Sequence, residues 1–243
     1  MLDKNRNALV TIAGTGESGF QGDGGNARLA LLRKPEGLAV KPGLEVGADN
    51  VGRELYFADF VNQRIRKLVR GTNEWTIYTV AGSGVMGDDP LCDSGCLALE
   101  ASLWNPRSLA FASNQDLYFV DSGSHKIRRL TTSLGDPRAN PNATISTFLG
   151  NSDWTAENGM WQAFRGVAKV MLPGHFESPN ADLHLRALYA LTIDKYDRLW
   201  TIDSDSNRIF MAPLVNRTLV WLVDDFGNFL ARLVASKFKD NST

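Results

Sequence analysis

The sequence contains three copies of one acidic–basic spacing, an aspartate followed five residues later by a basic residue: Asp59 and Arg64, Asp121 and Lys126, Asp203 and Arg208. Paired groups of this kind can support general acid–base catalysis. A catalytic group normally occurs once in a protein, whereas a structural feature recurs with its repeat. We therefore interpret these pairs as structural. Each aspartate is predicted to accept backbone N–H groups of its own turn and to pair with the basic residue across a hairpin.

A second motif has the form of a nucleotide-binding site. Residues 14–19 fit the pattern G-x-G-x-x-G, whose glycines let backbone N–H groups approach a pyrophosphate. That pattern requires a helix immediately afterwards, but residues 20–26 are glycine-rich and typical of a turn. The pattern also recurs at residues 82–87. We interpret both segments as loops of a repeat and expect no cofactor.

Histidine is scarce. His125 lies beside Ser124 and Asp121 and so has the neighbours of a catalytic triad. The equivalent positions of the other repeats hold Gln63 and Asn207. This position therefore requires only a polar turn residue, and we expect no catalytic residue here.

The two cysteines, Cys92 and Cys96, are close in sequence. They could close a small disulfide ring in an oxidising compartment, or they could be two reduced thiols. A zinc site is disfavoured because zinc usually takes four ligands and no cluster of Cys or His lies near. We expect no metal.

Three glycosylation sequons begin at Asn142, Asn216 and Asn241. Together with a disulfide they favour an extracellular or lumenal location. The cytoplasm is the alternative, because residues 1–6 lack the apolar stretch of a signal peptide. No apolar run approaches the ~20 residues needed to span a bilayer.

A repeated hairpin organises the elements that carry these residues. Residues 55–68 recur as 117–130 and 199–212, each an apolar strand ending on aspartate, a polar turn, and a strand opening with a basic residue and isoleucine. Further matching blocks precede the hairpins: 10–14 and 78–82, then 35–40 and 106–111. Each unit predicts four short strands separated by turns, which is the blade of a β-propeller.

These blocks resemble the NHL repeat. The resemblance covers roughly residues 9–212, is strong in the first two copies and weak in the third, and rests on these segments: Thr11–Gly25, Pro35–Gly37, Leu55–Asp59 and Asn62–Lys67. It implies an all-β propeller of four-stranded blades, commonly about six in number. Such propellers serve mostly as protein- or RNA-binding platforms, with a few enzymatic relatives. The lyase relatives need a histidine-ligated zinc that does not map onto this chain.

We predict one propeller segment over residues 1–243 with these approximate divisions: blade 1 at 9–75, blade 2 at 76–143, blade 3 at 144–214 with an insertion at 151–186, and a partial blade at 215–243. Propellers typically close with ~4–8 blades. Three blades leave sheet edges and faces exposed. More chain, or a protein partner such as a second copy, is expected to complete the ring, and we favour a segment of a longer chain.

The insertion is the least repeat-like part of the chain. Its aromatic side chains are candidates for a contact surface: Trp154, Trp161, Phe164 and Phe176. The alternative is that each of them fills the core of its own blade.

Three functions are compatible with these features. The favoured one is a non-catalytic binding or scaffolding module that mediates protein–protein interaction or assembly in a larger complex. The alternative is a propeller enzyme of the lyase or lactonase type with an axial metal. RNA binding is the least favoured, because 26 basic and 27 acidic residues give a formal net charge of -1 and no field that attracts nucleic acid.

Overall fold

The computed structural model describes residues 2–3, 8–42, 53–131, 143–150, 185, 187–205, 207–214 and 220–221. These residues form β-strands, joined by turns and by short 3-10 segments at Ala27–Leu29, Phe60–Asn62, Pro90–Asp93 and Ser122–Ser124. No helix within this part of the chain has the length and hydropathy needed to cross a membrane.

The strands form three main antiparallel sheets in chain order. A two-stranded pair comes first, with β1 at Leu2–Asp3 and β2 at Ala8–Leu9. The first sheet holds β3 (Pro35–Val40), β4 (Glu54–Asp59), β5 (Arg64–Arg70) and β6 (Trp75–Ala81). The second sheet holds the short β7 (Cys96–Leu97), β8 (Pro106–Phe111), β9 (Leu117–Asp121), β10 (Lys126–Leu130) and β11 (Thr144–Leu149). In this sheet β7 forms the outer edge and pairs with β11, while β8 forms the opposite edge. The third holds β12 (Leu188–Ile193), β13 (Arg198–Asp203), β14 (Arg208–Pro213) and β15 (Val220–Trp221).

The first sheet ends later in the chain than the repeat pattern predicts. The repeat pattern places strand β6 in the second blade. In the structure β6 pairs along its length with β5, from the pair Arg70–Trp75 to the pair Ile65–Ala81. Strand β11 completes the second sheet in the same way. Only residues 71–74 separate β5 from β6, whereas residues 82–105 separate β6 from β8. The short hairpin connection therefore decides which strands pair.

The predicted hairpins form, and one backbone position explains their turns. Gln63, His125 and Asn207 have φ values of 55°, 54° and 55°, in the left-handed region, each directly before the second strand. Polar residues, asparagine above all, tolerate this conformation better than bulky or β-branched ones. The three positions therefore share a requirement for a left-handed backbone.

The sheets pack face to face in series. Tyr56, Ala58 and Ile65 of the first sheet share one buried cluster with Leu109 and Phe119 of the second. Equivalent residues of the second sheet share another cluster with the third: Tyr118, Val120 and Ile127 with Leu188, Leu199 and Phe210. The first strands of the sheets are also neighbours, since β8 contacts both β3 and β12. This is the arrangement of propeller blades around an axis, with β3, β8 and β12 innermost; the strands that the structure describes do not close the ring.

Candidate functional site

The inner strands share an irregularity that positions three non-identical residues. Each inner strand shifts register against its neighbour near its first residues, between Glu36 and Leu38, Pro106 and Leu109, and Leu188 and Ala190. Such bulges re-aim the side chains they contain. The second residue of each strand is Glu36, Arg107 and Tyr189, and we call these three residues the axial cluster.

Arg107 is the centre of the axial cluster. Its Nη1 donates to Glu36 Oε2 at 2.7 Å and its Nε donates to Ser122 Oγ at 3.2 Å. The guanidinium carbon lies 4.5 Å from the centroid of the Phe60 ring and 4.9 Å from that of Tyr189. Groups from all three blades thus converge on one cation.

The axial cluster remains accessible. The side chains of Arg107 and Glu36 are 24% and 36% exposed, and Tyr189 is 52% exposed. Nη2 of Arg107 makes no hydrogen bond within the described residues. The cluster can therefore offer a hydrogen-bond donor beside an open aromatic ring.

The repeated aspartates receive hydrogen bonds from outside their own turns. Asp59 Oδ1 accepts from the backbone N–H of Arg33 at 2.8 Å, and Asp121 Oδ1 accepts from that of Trp104 at 2.7 Å. Asp203 Oδ1 accepts from the backbone N–H of Ala187 at 2.9 Å. Each donor lies just before an inner strand, so the aspartate attaches that strand to the hairpin. The aspartate carboxylate was predicted correctly as the acceptor. The predicted donors, backbone N–H groups of the same turn, were wrong, because these donors precede an inner strand.

In the first two hairpins the ion pairs also differ from the predicted ones. Asp59 and Arg64 are directly opposite in the ladder, as are Asp121 and Lys126, and Asp203 and Arg208. Asp59 nevertheless pairs with Arg66, at 3.1 Å, and Asp121 with Arg128, at 3.4 Å. Those arginines lie two positions further along the second strand, on the same face as its first residue.

Arg64, the first basic residue of the first hairpin, bonds to groups other than Asp59. Arg64 donates to the backbone oxygens of Asn62 at 2.8 Å and Ser83 at 2.7 Å. Its guanidinium lies 3.8 Å from the centroid of the Phe20 ring. Burial, followed by the charge of Arg66, lowers the pKa of Arg64 from its ordinary value. This arginine therefore joins its own turn to the loop at Ser83.

Buried cations hold the long loops over the blades. Arg66 and Arg128 are 0% and 1% exposed. Arg66 binds Asp59 and the loop residue Asp23, the latter at 2.9 Å. Around Arg128 and the buried Lys126 the loop supplies Asp88 and Asp93, at 2.7 to 3.0 Å. Because a buried charge without a partner is costly, these pairs fix the loops.

Asp121 lies in the second of these networks. Burial raises its pKa to about 6, opposed by the positive charge of Arg128 and the hydrogen bond from the backbone of Trp104. Because the same aspartate attaches β8 to the hairpin, we expect its protonation state to change the stability of the second blade.

The glycine-rich loops have the same backbone hydrogen bonds in both copies. Gly14 N–H donates to Ala27 O at 2.8 Å, and the equivalent Gly82 N–H donates to Ala98 O at 2.8 Å. The N–H groups at positions 15, 19, 83 and 87 likewise donate to backbone oxygens. These groups are occupied within the protein, which supports the interpretation of a repeat loop over that of a phosphate site.

Cys92 and Cys96 form a disulfide, with their Cα atoms 4.7 Å apart. Cys92 is 2% exposed and belongs to the cluster between the first two blades. The bridge therefore closes the loop that carries Asp93.

Several predicted site residues lie outside the described residues. These are the sequon asparagines and the candidate contact aromatics: Asn142, Asn216 and Asn241, with Trp154, Trp161, Phe164 and Phe176. Within the described part of the chain no group of three or more His, Cys, Asp or Glu side chains could hold a metal.

None of the sequence motifs predicted the axial cluster. Its signal is a change of charge between copies at one position of a partly repeated block. Pro35 and Pro106 are identical and Leu38 and Leu109 are identical, but the residue after each proline is first acidic and then basic. Comparing copies for their differences would have indicated it.

No family model matches the chain. It is 31% identical over 122 residues to the Arabidopsis thaliana chloroplastic protein SUPPRESSOR OF QUENCHING 1, covering 49% of this chain and 10% of that protein. It is 32% identical over 118 residues to Teneurin-3 of Mus musculus, covering 46% of this chain and 4% of that protein. The chain thus spans a tenth or less of the length of these curated relatives.

Two solved structures share part of the arrangement of strands. A gluconolactonase from Xanthomonas campestris is 13% identical, with a TM-score of 0.43 over 78% of this chain and 47% of that one. An auxiliary nutrient binding protein from Bacteroides ovatus is 16% identical, with a TM-score of 0.43 over 74% of this chain and 48% of that one. The described sheets themselves establish the fold: an all-β propeller, of which the described residues form three blades in an open arc.

Proposed function

We propose that this chain is a non-catalytic binding module that assembles with other propeller blades through the two outer faces of its three-blade arc. The observation that carries the proposal is a difference between equivalent residues. Leu38 is 63% exposed, whereas Leu109, at the same position of the next inner strand, is 5% exposed and buried by the first blade. The first blade therefore presents a surface that is an interface elsewhere in the same protein.

The face of the first blade, which we call the start face, is apolar. It forms a groove of about 440 Å³ lined by Ile12, Leu32, Leu38, Phe57 and Leu68 among others. One repeat later the equivalents of these residues are buried together between the first two blades: Val80 on β6 of the first blade, with Leu103, Leu109, Phe119 and Leu130 of the second. The start face thus has the composition of a blade interface.

The third blade presents the complementary half, which we call the end face. Ile202 and Ile209 are 46% and 44% exposed. Their equivalents in the first blade, Ala58 and Ile65, are fully buried against the second blade. Exposed apolar surface of this kind marks interaction sites.

A second copy of the chain is the occupant that we propose for these faces. Because the start face and the end face are the two halves of one repeated interface, they can meet head to tail. A head-to-tail contact closes into a ring when its rotation allows. Two arcs of three blades give about six blades, within the ~4–8 of closed propellers.

The molar mass in solution tests this assembly. Light scattering on the purified chain should give twice the chain mass of 26.7 kDa. Leu38→Glu or Ile202→Lys alone should give a monomer, because each buries an unpaired charge. An equal mixture of the two variants should recover the dimer, since one interface then pairs glutamate with lysine and the other is unchanged.

The matched control is Leu29→Glu. Leu29 is 71% exposed but lies off both faces, and its equivalent in the next copy is Glu100. This variant should stay dimeric. A native chain that is monomeric at ~100 μM, far above the ~1 μM dissociation constant of a moderate interface, would contradict the proposal.

A further inference from the structure

We infer that the axial cluster of Glu36, Arg107 and Tyr189 is a binding site for a ligand that carries a carboxylate group. Glu36 also lines the start-face groove, but the ligand contacts inferred here are those of Arg107 and Tyr189, so the inference does not rest on the proposed assembly. Its ligand would lie where the three inner strands meet.

Arg66 and Arg128, which occupy the same position of the first two hairpins, show what a guanidinium binds in this protein. Arg66 donates from Nη2 to Asp23 Oδ1 at 2.9 Å and from Nη1 to Asp59 Oδ2 at 3.1 Å. Arg128 donates from Nη2 to Asp88 Oδ1 at 2.7 Å and from Nη1 to Asp93 Oδ1 at 3.0 Å. In both, each terminal nitrogen holds a carboxylate.

Arg107 has only half of that arrangement. Glu36 occupies Nη1, and within the described residues Nη2 has no hydrogen-bond partner. A planar guanidinium favours carboxylate oxygens as acceptors and binds them with strong charge-assisted hydrogen bonds. A second carboxylate at Nη2 would reproduce the coordination that this protein builds around Arg66 and Arg128.

The surrounding rings prepare Arg107 for such a ligand. Phe60 and Tyr189 lie near its guanidinium, and the bond to Ser122 holds Nε. An arginine held in this way loses less freedom on binding than a free one. The edge that carries Nη2 is the remaining direction in which it can form hydrogen bonds.

Tyr189 indicates what is attached to the carboxylate. Its ring is about half exposed beside Arg107. A flat apolar group next to the carboxylate can therefore stack on the ring while the carboxylate binds Nη2. Benzoate is the simplest probe with both features, and benzamide is the matched probe without the charge.

The position of the cluster in the repeat supports a binding role. Pro35 and Leu38 of the first copy recur as Pro106 and Leu109 in the second, whereas the cluster itself is acidic, basic and aromatic in turn. A purely structural position would be expected to repeat with the blade. Residues that differ at one point of a rigid scaffold are those free to serve a ligand.

Nuclear magnetic resonance on the full chain tests the inference. Benzoate is titrated from ~1 to ~50 mM, a range suited to a ligand with millimolar affinity, and the arginine Nε–H signals are followed. The signal of Arg107 should shift and saturate, and benzamide at the same concentrations should leave it unchanged. Arg107→Lys should weaken benzoate binding about tenfold, because lysine keeps the charge but lacks the planar fork. Since this variant removes the Arg107 signal, the backbone amide signals of Gly37 and Ser108, which lie beside residue 107, are followed in both proteins.

Arg198 provides an internal control in the native protein. It pairs with one carboxylate, Asp194, and lies near two rings, Tyr196 and Trp200, but all of these belong to one hairpin. Its signal should move far less than that of Arg107. Equal shifts at Arg107 and Arg198, equal effects of benzoate and benzamide, or no saturable shift at Arg107 would each overturn the inference.

Discussion

Gly37 and Arg107 are in backbone contact across the first two inner strands. A Cβ atom placed on Gly37 would lie 2.6 Å from the carbonyl oxygen of Arg107 and 3.0 Å from Cα of Ser108. The φ of Gly37 is also +55°, a conformation that side chains disfavour. This close approach brings β3 against β8, and Glu36 can reach Arg107 because of it.

Gly37→Ala should therefore separate the inner strands. We expect a loss of about 1–3 kcal/mol in the free energy of unfolding from overpacking, in addition to about 1–2 kcal/mol from the left-handed backbone. Urea unfolding measures the total. Gly16→Ala is the matched control, since its φ is +94° but no atom lies within 4 Å of the added Cβ; a loss as large as that of Gly37→Ala would contradict the contact.

Leu109→Ala and Leu38→Ala should have different costs although the residues are equivalent. Leu109 is buried between two blades, so its truncation should lower the free energy of unfolding by about 2–5 kcal/mol. Leu38 is exposed in one arc, and its truncation should cost about 0.5 kcal/mol or less. Both are measured by urea unfolding in the Ile202→Lys background, where we expect the chain to be monomeric. Equal losses would mean that the start face is already covered.

Asp121 should make the stability of the fold decrease as the pH rises. Its pKa is about 6 in the folded protein and 3.8 as an ordinary value, so the folded state binds the proton more tightly. Its contribution is fully present below pH 3.8 and is lost as the pH rises through about 6.

Comparison with Asp121→Asn isolates this effect. The stability of the native protein relative to the variant should fall between pH 4 and pH 7, by thermal or urea unfolding. Asp194→Asn should show the opposite sign and in a lower range: the stability of the native protein relative to this variant should rise as the pH increases from about 2 to 3.8. Partial burial acts to raise the pKa of Asp194, but the hydrogen bonds from Trp200, the Tyr196 backbone and Arg198 outweigh it and lower the pKa to about 2. A relative stability of Asp121→Asn that does not change with pH would contradict the raised pKa.

The disulfide should stabilise the loop over the second blade. Cys92 and Cys96 are four residues apart, and closing so short a ring contributes about 2 kcal/mol by restricting the unfolded chain. Reduction should lower the free energy of unfolding by this amount and should also weaken the hold of Asp93 on Lys126 and Arg128. Hydrogen exchange with and without reductant measures both effects.

Hydrogen exchange also provides the control for reduction. The equivalent loop of the first blade holds Arg66 through Asp23 and contains no cysteine. Reductant should leave its protection unchanged, so a uniform loss of protection in both loops would indicate global destabilisation rather than a local role of the bridge.

The sequence by itself determined the hairpins and the fold class. Residues at short separation carry these features: the alternation of apolar side chains, the aspartate that ends one strand, and the left-handed residue before the next, Gln63 or His125. Each depends on neighbours along the chain, so each can be predicted from the pattern. The predicted all-β propeller blades are confirmed by the three sheets.

Only the tertiary structure decided which groups meet. Asp59 binds the backbone of Arg33, 26 residues away, Arg66 binds Asp23 at 43 residues, and Arg107 binds Glu36 at 71. The same holds for the exposure of Leu38 and the burial of its equivalent Leu109. The repeat pattern is alike in every copy, whereas a contact depends on which blade lies next to it. The axial cluster and the two outer faces therefore arise from packing, which local sequence does not encode.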